Sequence, residues 1–321
     1  MLRTISVTLA LALLLMPAAQ AAHIKHGRKI THSLSFDNKD RHYVVYKPRD
    51  LDPNKKVPLV IVLHGGLTNA NYVAFESHMS RKADRQKFIV VYPEGTGGIG
   101  RNLLTWNAGT CCGPAQWQAR NDTGFIRKVI EDMRTNYNID PDRIYVAGSS
   151  NGGMLAFMVA AELADVVAAV ASVNGCVQEP HLKLQKPISI LAFNGTRDHV
   201  IRLRGGVGSM FGYKITCPDA RATMKEFARE LGCSEMPKEE KIGKSERETY
   251  TGGAGGTEVT LYTVPISHFW PGGGKPFPII TWPGEIKATD VMCDFFWAHP
   301  KQDGAIMPST TMEEGDGHRT N

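Results

Sequence analysis

The chain has 321 residues, 37 Lys and Arg against 32 Asp and Glu for a net charge of +5, and 42% hydrophobic residues. That length and apolar content suit one large domain or two small ones with a buried core, and they exclude a disordered chain. The basic residues are scattered among acids and form no stripe, so a nucleic-acid surface is not expected.

Residues 1–21 carry Arg3, an apolar run from Ile5 to Met16 and the small-x-small sequence Ala19-Gln20-Ala21. This is the pattern of a removed export signal. Its apolar run falls short of the roughly 20 residues of a membrane span, and no later run is long enough, so no membrane anchor is expected. Loss of Arg3 takes the net charge from +5 to +4.

A β-hairpin is predicted over 30–36 and 41–47, with Asp37-Asn38-Lys39-Asp40 as its turn. Strands and helices then alternate: strand Pro58 to Leu63, helix 69–85, strand Phe88 to Tyr92, helix 122–137, strand Arg143 to Ala147 and helix Gly152 to Leu163. Strands Val166 to Val173 and Ile188 to Phe193, helix 219–231, strand Glu258 to Val264 and helix 285–298 complete the order. Continuous apolar runs such as VPLVIVL and ISILAF suit strands buried on both faces. The expected class is therefore α/β, with a mostly parallel central sheet flanked by helices. Residues 95–120 and 202–212 are long connections of the kind that shape a site over such a sheet. Residues 300–321 lack periodicity and are expected to form a mobile tail.

Six cysteines (111, 112, 176, 217, 233 and 293) in an exported chain suggest disulfides. Cys217 and Cys233 flank a predicted helix whose ends lie roughly 20 Å apart, beyond the ~7 Å Cα separation a bridge tolerates. Adjacent Cys111 and Cys112 are expected to pair elsewhere, one of them with Cys176, and not with each other.

Gly148-Ser149-Ser150-Asn151-Gly152 matches G-x-S-x-G, preceded by the strand RIYVA and followed by the helix GMLAFMVAAEL. In that setting a tight strand-to-helix turn thrusts the central serine onto the top of a sheet, and the flanking glycines avoid a steric collision. Ser150 is the candidate nucleophile. The helix start beside it favours developing negative charge. Ser149 points elsewhere and has no expected role.

A serine hydroxyl needs a base, and the base an orienting acid. On such a sheet they follow the serine as acid and then histidine, each in a loop after a strand. Asp165, Asp219, Asp290 and Asp294 belong to helices or their ends, and Asp303 and Asp316 to the tail, which leaves Asp198 in ISILAFNGTRD. His181 precedes that acid, His199 adjoins it, His299 ends the last helix and His318 is in the tail, which leaves His268 in PISHFWPGGG. An oxyanion pocket would take the backbone NH of Asn151 and one from His64-Gly65-Gly66-Leu67, with Gly66 favoured over Leu67.

The stretches LVIVLHGG, WNAGTCCGPA, DTGFIRKVIEDMRTNYNIDPDRIYVAGSSNGGMLA, FNGTRDHVI and SHFWPGG resemble the secreted esterase family of polyhydroxybutyrate depolymerases, which also holds feruloyl and acetylxylan esterases. The likeness covers most of residues 40–298. It implies an α/β-hydrolase fold over residues 22–299 and a triad falling on Ser150, Asp198 and His268. The chain departs from the family at Pro265-Ile266-Ser267, where glycines are usual, and at Gly252 to Gly256, where a cysteine is usual. The second departure leaves Cys233 without an assigned partner.

Gly95-Thr-Gly97-Gly-Ile-Gly100 matches G-x-G-x-x-G, but RNLLTWNAG follows where a dinucleotide site requires a helix. His23 and His26 lack further ligand spacing, there is no H-E-x-x-H, and acyl transfer needs no cofactor, so neither metal nor cofactor is expected. Trp106 and Trp270 are candidate walls for a sugar or aromatic acyl group, or packing residues. The combined expectation is a secreted, monomeric serine esterase acting on a polymeric or oligomeric ester. A peptidase on the same fold and a non-catalytic carbohydrate or polymer binder are its rivals.

Overall fold

The computed structural model describes residues 26–179, 182–210, 212–275, 285–302, 304 and 306–308. The expected export signal, His23 and most of the expected tail lie outside them. Among the described residues, no helix is long and apolar enough to cross a membrane.

The chain opens with a hairpin of β1 (Arg28–Phe36) and β2 (Lys39–Lys47). Asp37 and Asn38 both have φ of 55°, the left-handed pair of a two-residue turn that matches the twist of its strands. The predicted four-residue turn is therefore too long: Lys39 and Asp40 already pair with Phe36 and Ser35. Next come β3 (Val57–Leu63), α1 (Ala70–Ser77), α2 (Met79–Gln86) and β4 (Ile89–Pro93). Asn69 caps α1 by accepting from the Tyr72 NH at 3.0 Å, and His78, with φ of 55°, breaks the single helix expected over 69–85 into two.

The short α3 (Gly113–Trp117) precedes α4 (Asp122–Asn136), β5 (Ile139–Ser149), α5 (Asn151–Glu162), β6 (Ala169–Val173) and β7 (Ser189–Gly195). The hairpin β8 (Gly206–Met210) and β9 (Tyr213–Cys217) leads into α6 (Ala220–Leu231). Then follow β10 (Lys238–Ile242), β11 (Ser245–Tyr250), β12 (Val259–Val264) and α7 (Ala288–Ala298). β8, β9, β10 and β11 are absent from the sequence reading. KEEKI and SERETY carry few apolar residues because β10 is the sheet edge and β11 its neighbour, where charge discourages further pairing.

Among the described residues, ten strands form the main sheet in the order β1-β2-β4-β3-β5-β6-β7-β12-β11-β10. From β4 to β12 the neighbours run parallel, and both edges are antiparallel. Every residue of β3 is buried, and its side chains alternate between two cores. Leu59, Ile61 and Leu63 pack with residues of α4, α5 and α6. Val60 and Val62 pack with residues of α1, α2 and α7. The two-sided burial read from VPLVIVL is thus a sheet sandwiched between helical layers. Since β3, β5, β7 and β12 are parallel, the loops after them emerge along one edge.

Cys176 is bonded to Cys217 across a Cα separation of 5.9 Å, and Cys111 to Cys112 through a cis peptide. The expected pairing of Cys111 or Cys112 with Cys176 is corrected on both counts, because β9 brings Cys217 beside the loop after β6. Cys233 and Cys293 are free thiols.

Candidate active site

The turn after β5 is as crowded as its glycines suggest. A Cβ on Gly148 would run into the carbonyl of Gly152, and one on Gly152 would lie 2.5 Å from the carbonyl oxygens of both Leu63 and His64. Between them Ser150 takes φ 52° and ψ −118°, a conformation that L residues rarely hold. It is held from both sides: the Ser150 NH donates to Val173 O at 2.8 Å, and its carbonyl accepts from the Met154 NH at 2.8 Å.

His268 Nε2 lies 2.8 Å from Ser150 Oγ, and its Nδ1 lies 2.6 Å from Asp198 Oδ2. The other carboxylate oxygen of Asp198 accepts from the NH groups of Val200 and Ile201 at 2.8 and 2.9 Å. With its acceptor capacity engaged and its side chain fully buried, Asp198 can take an N–H from Nδ1 and leave the Nε2 lone pair facing the serine. Three side chains that the sequence separates by up to 118 positions form one hydrogen-bonded row.

The amides beside the row divide clearly. The Leu67 NH donates to Leu104 O at 2.8 Å, so of the two glycine-loop amides Gly66 is the one left uncommitted among the described residues. A Cβ on Gly66 would sit 3.5 Å from the Cβ of Asn151, so the glycine loop packs against the first residue of α5. Asn151, at the first position of α5, has its own side chain clamped on Trp106: Oδ1 accepts from the Trp106 NH at 2.7 Å and Nδ2 donates to the Trp106 carbonyl at 3.1 Å.

Trp106 and Trp270 do not line the site. Both are 0% exposed. Trp106 donates its indole N–H to His64 O at 2.9 Å, and Trp270 donates to Thr289 Oγ1 at 2.9 Å. A ring with no exposed face and a satisfied donor braces its loop and cannot meet a substrate. The expectation of aromatic walls is therefore corrected to packing residues.

The sequence profile of the family described as "Esterase PHB depolymerase" matches residues 41–201, half of the chain. The chain belongs to that family. Feruloyl esterase B of Piromyces equi is similar, 32% identical over 242 residues that cover 73% of this chain and 44% of that protein. A bifunctional acetylxylan esterase/xylanase of Neocallimastix patriciarum is 32% identical over 185 residues, 57% of this chain and 25% of that one. The chain thus spans less than half the length of these two relatives. Among solved structures, acetyl xylan esterase from Aspergillus awamori superposes with a TM-score of 0.59 at 14% identity, covering 84% of this chain and 99% of that one. The shared architecture is the α/β-hydrolase fold.

In this member of the esterase PHB depolymerase family, the loops carrying the acid and the histidine are tied together by a residue that the sequence reading missed. Asn174, after β6, donates from Nδ2 to Phe269 O at 2.9 Å and accepts at Oδ1 from the Gly195 NH at 2.9 Å. It follows β6 at φ 48°, a conformation asparagine tolerates. The only trace in the sequence is an asparagine at a strand end.

His64 was also read only for its backbone. Its ring is buried, Nδ1 faces Gly65 O at 2.8 Å, and Nε2 accepts the Gly95 NH at 3.0 Å, so the neutral ring satisfies both partners. Burial pushes its pKa down to about 4, opposed by the Gly65 carbonyl and assisted by the charge of Arg41. Unfolding releases an imidazole that takes a proton near the ordinary value of 6.5. The folded state binds fewer protons between these values, so the stability due to neutral His64 is complete above about pH 6.5 and is lost as pH falls through about 4. Urea midpoints measured from about pH 7 to about pH 4 should reveal this loss, on the order of 3 kcal/mol, and His64→Gln should flatten it. Parallel curves for the two proteins would contradict the assignment.

Proposed function

We propose that the chain is an exported carboxylic ester hydrolase working through an acyl-enzyme on Ser150. The observation that carries this reading is the row Ser150–His268–Asp198, with contacts of 2.8 and 2.6 Å, at the C-terminal edge of the parallel strands. Ser150 Oγ attacks the ester carbonyl while His268 Nε2 takes its proton, and Asp198 holds the imidazolium. The amides of Gly66 and Asn151 carry the oxyanion. His268 then returns the proton to the leaving alkoxide, and water, deprotonated by the same ring, hydrolyses the acyl-enzyme.

The substrate class we favour, supported by relatives named as feruloyl and acetylxylan esterases, is an ester substituent on a plant-wall polysaccharide or its fragments. A polyhydroxyalkanoate is the alternative that the family's description carries. The chain is read as a monomer, with an export signal over residues 1–21, a catalytic domain over 22–299 and a tail over 300–321. The deciding experiment pairs a fluorophosphonate probe with a substrate comparison. The probe should label Ser150, and acetylated xylan or a feruloylated sugar should be hydrolysed faster than polyhydroxybutyrate. An unlabelled Ser150 in folded protein would reject the nucleophile, and polyester hydrolysed faster than both sugars would reverse the substrate reading.

A further inference from the structure

The peptide between Gly65 and Gly66 runs beside the nucleophile turn. A Cβ on Gly65 would lie 3.5 Å from Ser150 Cβ, and one on Gly66 would lie 3.5 Å from Asn151 Cβ. Among the described residues, its carbonyl oxygen accepts from the Thr68 hydroxyl at 2.6 Å, from His64 Nδ1 at 2.8 Å and from the Thr68 NH at 3.3 Å. Since Nε2 of the same buried ring accepts the Gly95 NH at 3.0 Å, Nδ1 carries the proton and donates it. The opposite end of this peptide is the Gly66 NH, which has no acceptor among the described residues.

A trans peptide is planar, and its C=O and N–H point in opposite directions. The Gly65–Gly66 bond is trans. Anchoring its oxygen on the His64 ring, which is 0% exposed, turns its N–H away from the interior. Glycine on both sides leaves this peptide free to rotate, and rotation would present a carbonyl where the reaction needs a donor. We propose that Thr68 is a positioning residue of the oxyanion pocket: together with His64, its hydroxyl fixes the Gly65 carbonyl and so aims the Gly66 NH at the substrate oxygen as it gains charge. This inference rests on the reading of Ser150 as the nucleophile and of Gly66 as an oxyanion donor.

A hydroxyl that bonds the carbonyl three residues back is also a common way to close a turn, and this turn holds Leu67 at φ 60°. The fold, however, already fixes Thr68 by its backbone. Its carbonyl accepts the Leu104 NH at 3.0 Å, and the neighbouring Leu67 NH donates to Leu104 O at 2.8 Å. These bonds secure the chain after Gly66 and leave the Gly65 carbonyl to the hydroxyl and the imidazole. The Thr68 NH, at 3.3 Å, is the longest of that carbonyl's contacts. Thr68 takes no part in bond making or proton transfer.

The test compares Thr68→Val and Thr68→Ser with wild type on a short-chain nitrophenyl ester, measuring kcat, KM and the urea midpoint. A fourth readout is inhibition by an alkyl trifluoromethyl ketone, whose adduct on Ser150 carries the charged oxygen of the tetrahedral intermediate. Thr68→Val keeps the shape, removes the hydroxyl and should lower kcat roughly tenfold with KM unchanged. Outright loss of an oxyanion donor costs roughly 100-fold or more, and the smaller factor is expected because His64 still holds the carbonyl. Affinity for the ketone should fall by the same factor as kcat. Thr68→Ser keeps the hydroxyl and should restore both. If Thr68→Val does not fold, Thr68→Ala removes the same hydroxyl and decides in its place. A lower urea midpoint with kcat and ketone affinity unchanged would mean that the hydroxyl only closes the turn, and would overturn the proposal. A fall in kcat with ketone affinity unchanged would overturn it as well. Ser150→Ala separates the two readings: if it is inert while Thr68→Val matches wild type, only the role of Thr68 fails. If Ser150→Ala hydrolyses the ester normally, the catalytic row itself fails.

Discussion

Ser150→Ala is expected to lower kcat for a nitrophenyl ester by roughly 10⁵-fold, His268→Ala by a similar factor, and the double variant by no more than the worse single one. The two side chains act as one unit, because the hydroxyl is a useful nucleophile only while Nε2, 2.8 Å away, can take its proton. Once either is gone, the other has nothing to activate or be activated by. Asp198→Asn is expected to cost roughly 10⁴-fold for a different reason. Among the described residues, Asp198 meets donors: the ring Nδ1 and the NH groups of Val200 and Ile201. An amide NH₂ on that side would oppose one of them and favour the tautomer that places a proton on Nε2. Losses that simply multiplied in the double variant would show that Ser150 and His268 act independently, contrary to the proposed mechanism.

The parts of the site that were legible in the sequence are those fixed by local sterics or by chain order. Gly148 and Gly152 flank Ser150 because the strand, turn and helix collide without them, and that information lies within five consecutive residues. Asp198 and His268 emerge by elimination because few acids and histidines follow a strand at the right stage of the chain. The residues that were misread or missed depend on what lies across from them. Trp106 in a loop looks the same whether it lines a cleft or braces Asn151, and only its contacts decide. Glu76 stands in ANYVAFES, one residue from the end of a short helix, where an acid ordinarily faces water. It is buried, and its backbone carbonyl meets Gly273 and Gly274 of the loop after His268, which is distant in sequence. Likewise, adjacent cysteines gave no hint of joining each other, and the charged strands β10 and β11 carried no hydrophobic period because they lie at the sheet's margin.

Asp122→Ala is expected to destabilise the fold by about 3–5 kcal/mol, more than most single truncations, because it strands a buried cation. Arg41 is 3% exposed and lies over the Phe125 ring at 3.9 Å. Its Nη2 donates to Asp122 Oδ1 at 2.7 Å and to Glu94 O at 3.3 Å, while Nε and Nη1 have no partner among the described residues. Among the described residues, the aspartate is thus its one direct countercharge. Replacing both members together, Arg41→Met with Asp122→Ala, should recover most of the loss, since the uncompensated charge leaves with its partner. Catalysis should not recover to the same degree. Asp122 Oδ2 also accepts the Asn107 NH at 2.7 Å, beside the Trp106 backbone that clamps the Asn151 side chain. Both variants lack that anchor, so the double variant should regain its urea midpoint while kcat stays depressed. Recovery of stability and rate in parallel would mean that the 105–112 loop holds its shape without Asp122, and that the charge pair serves the fold alone.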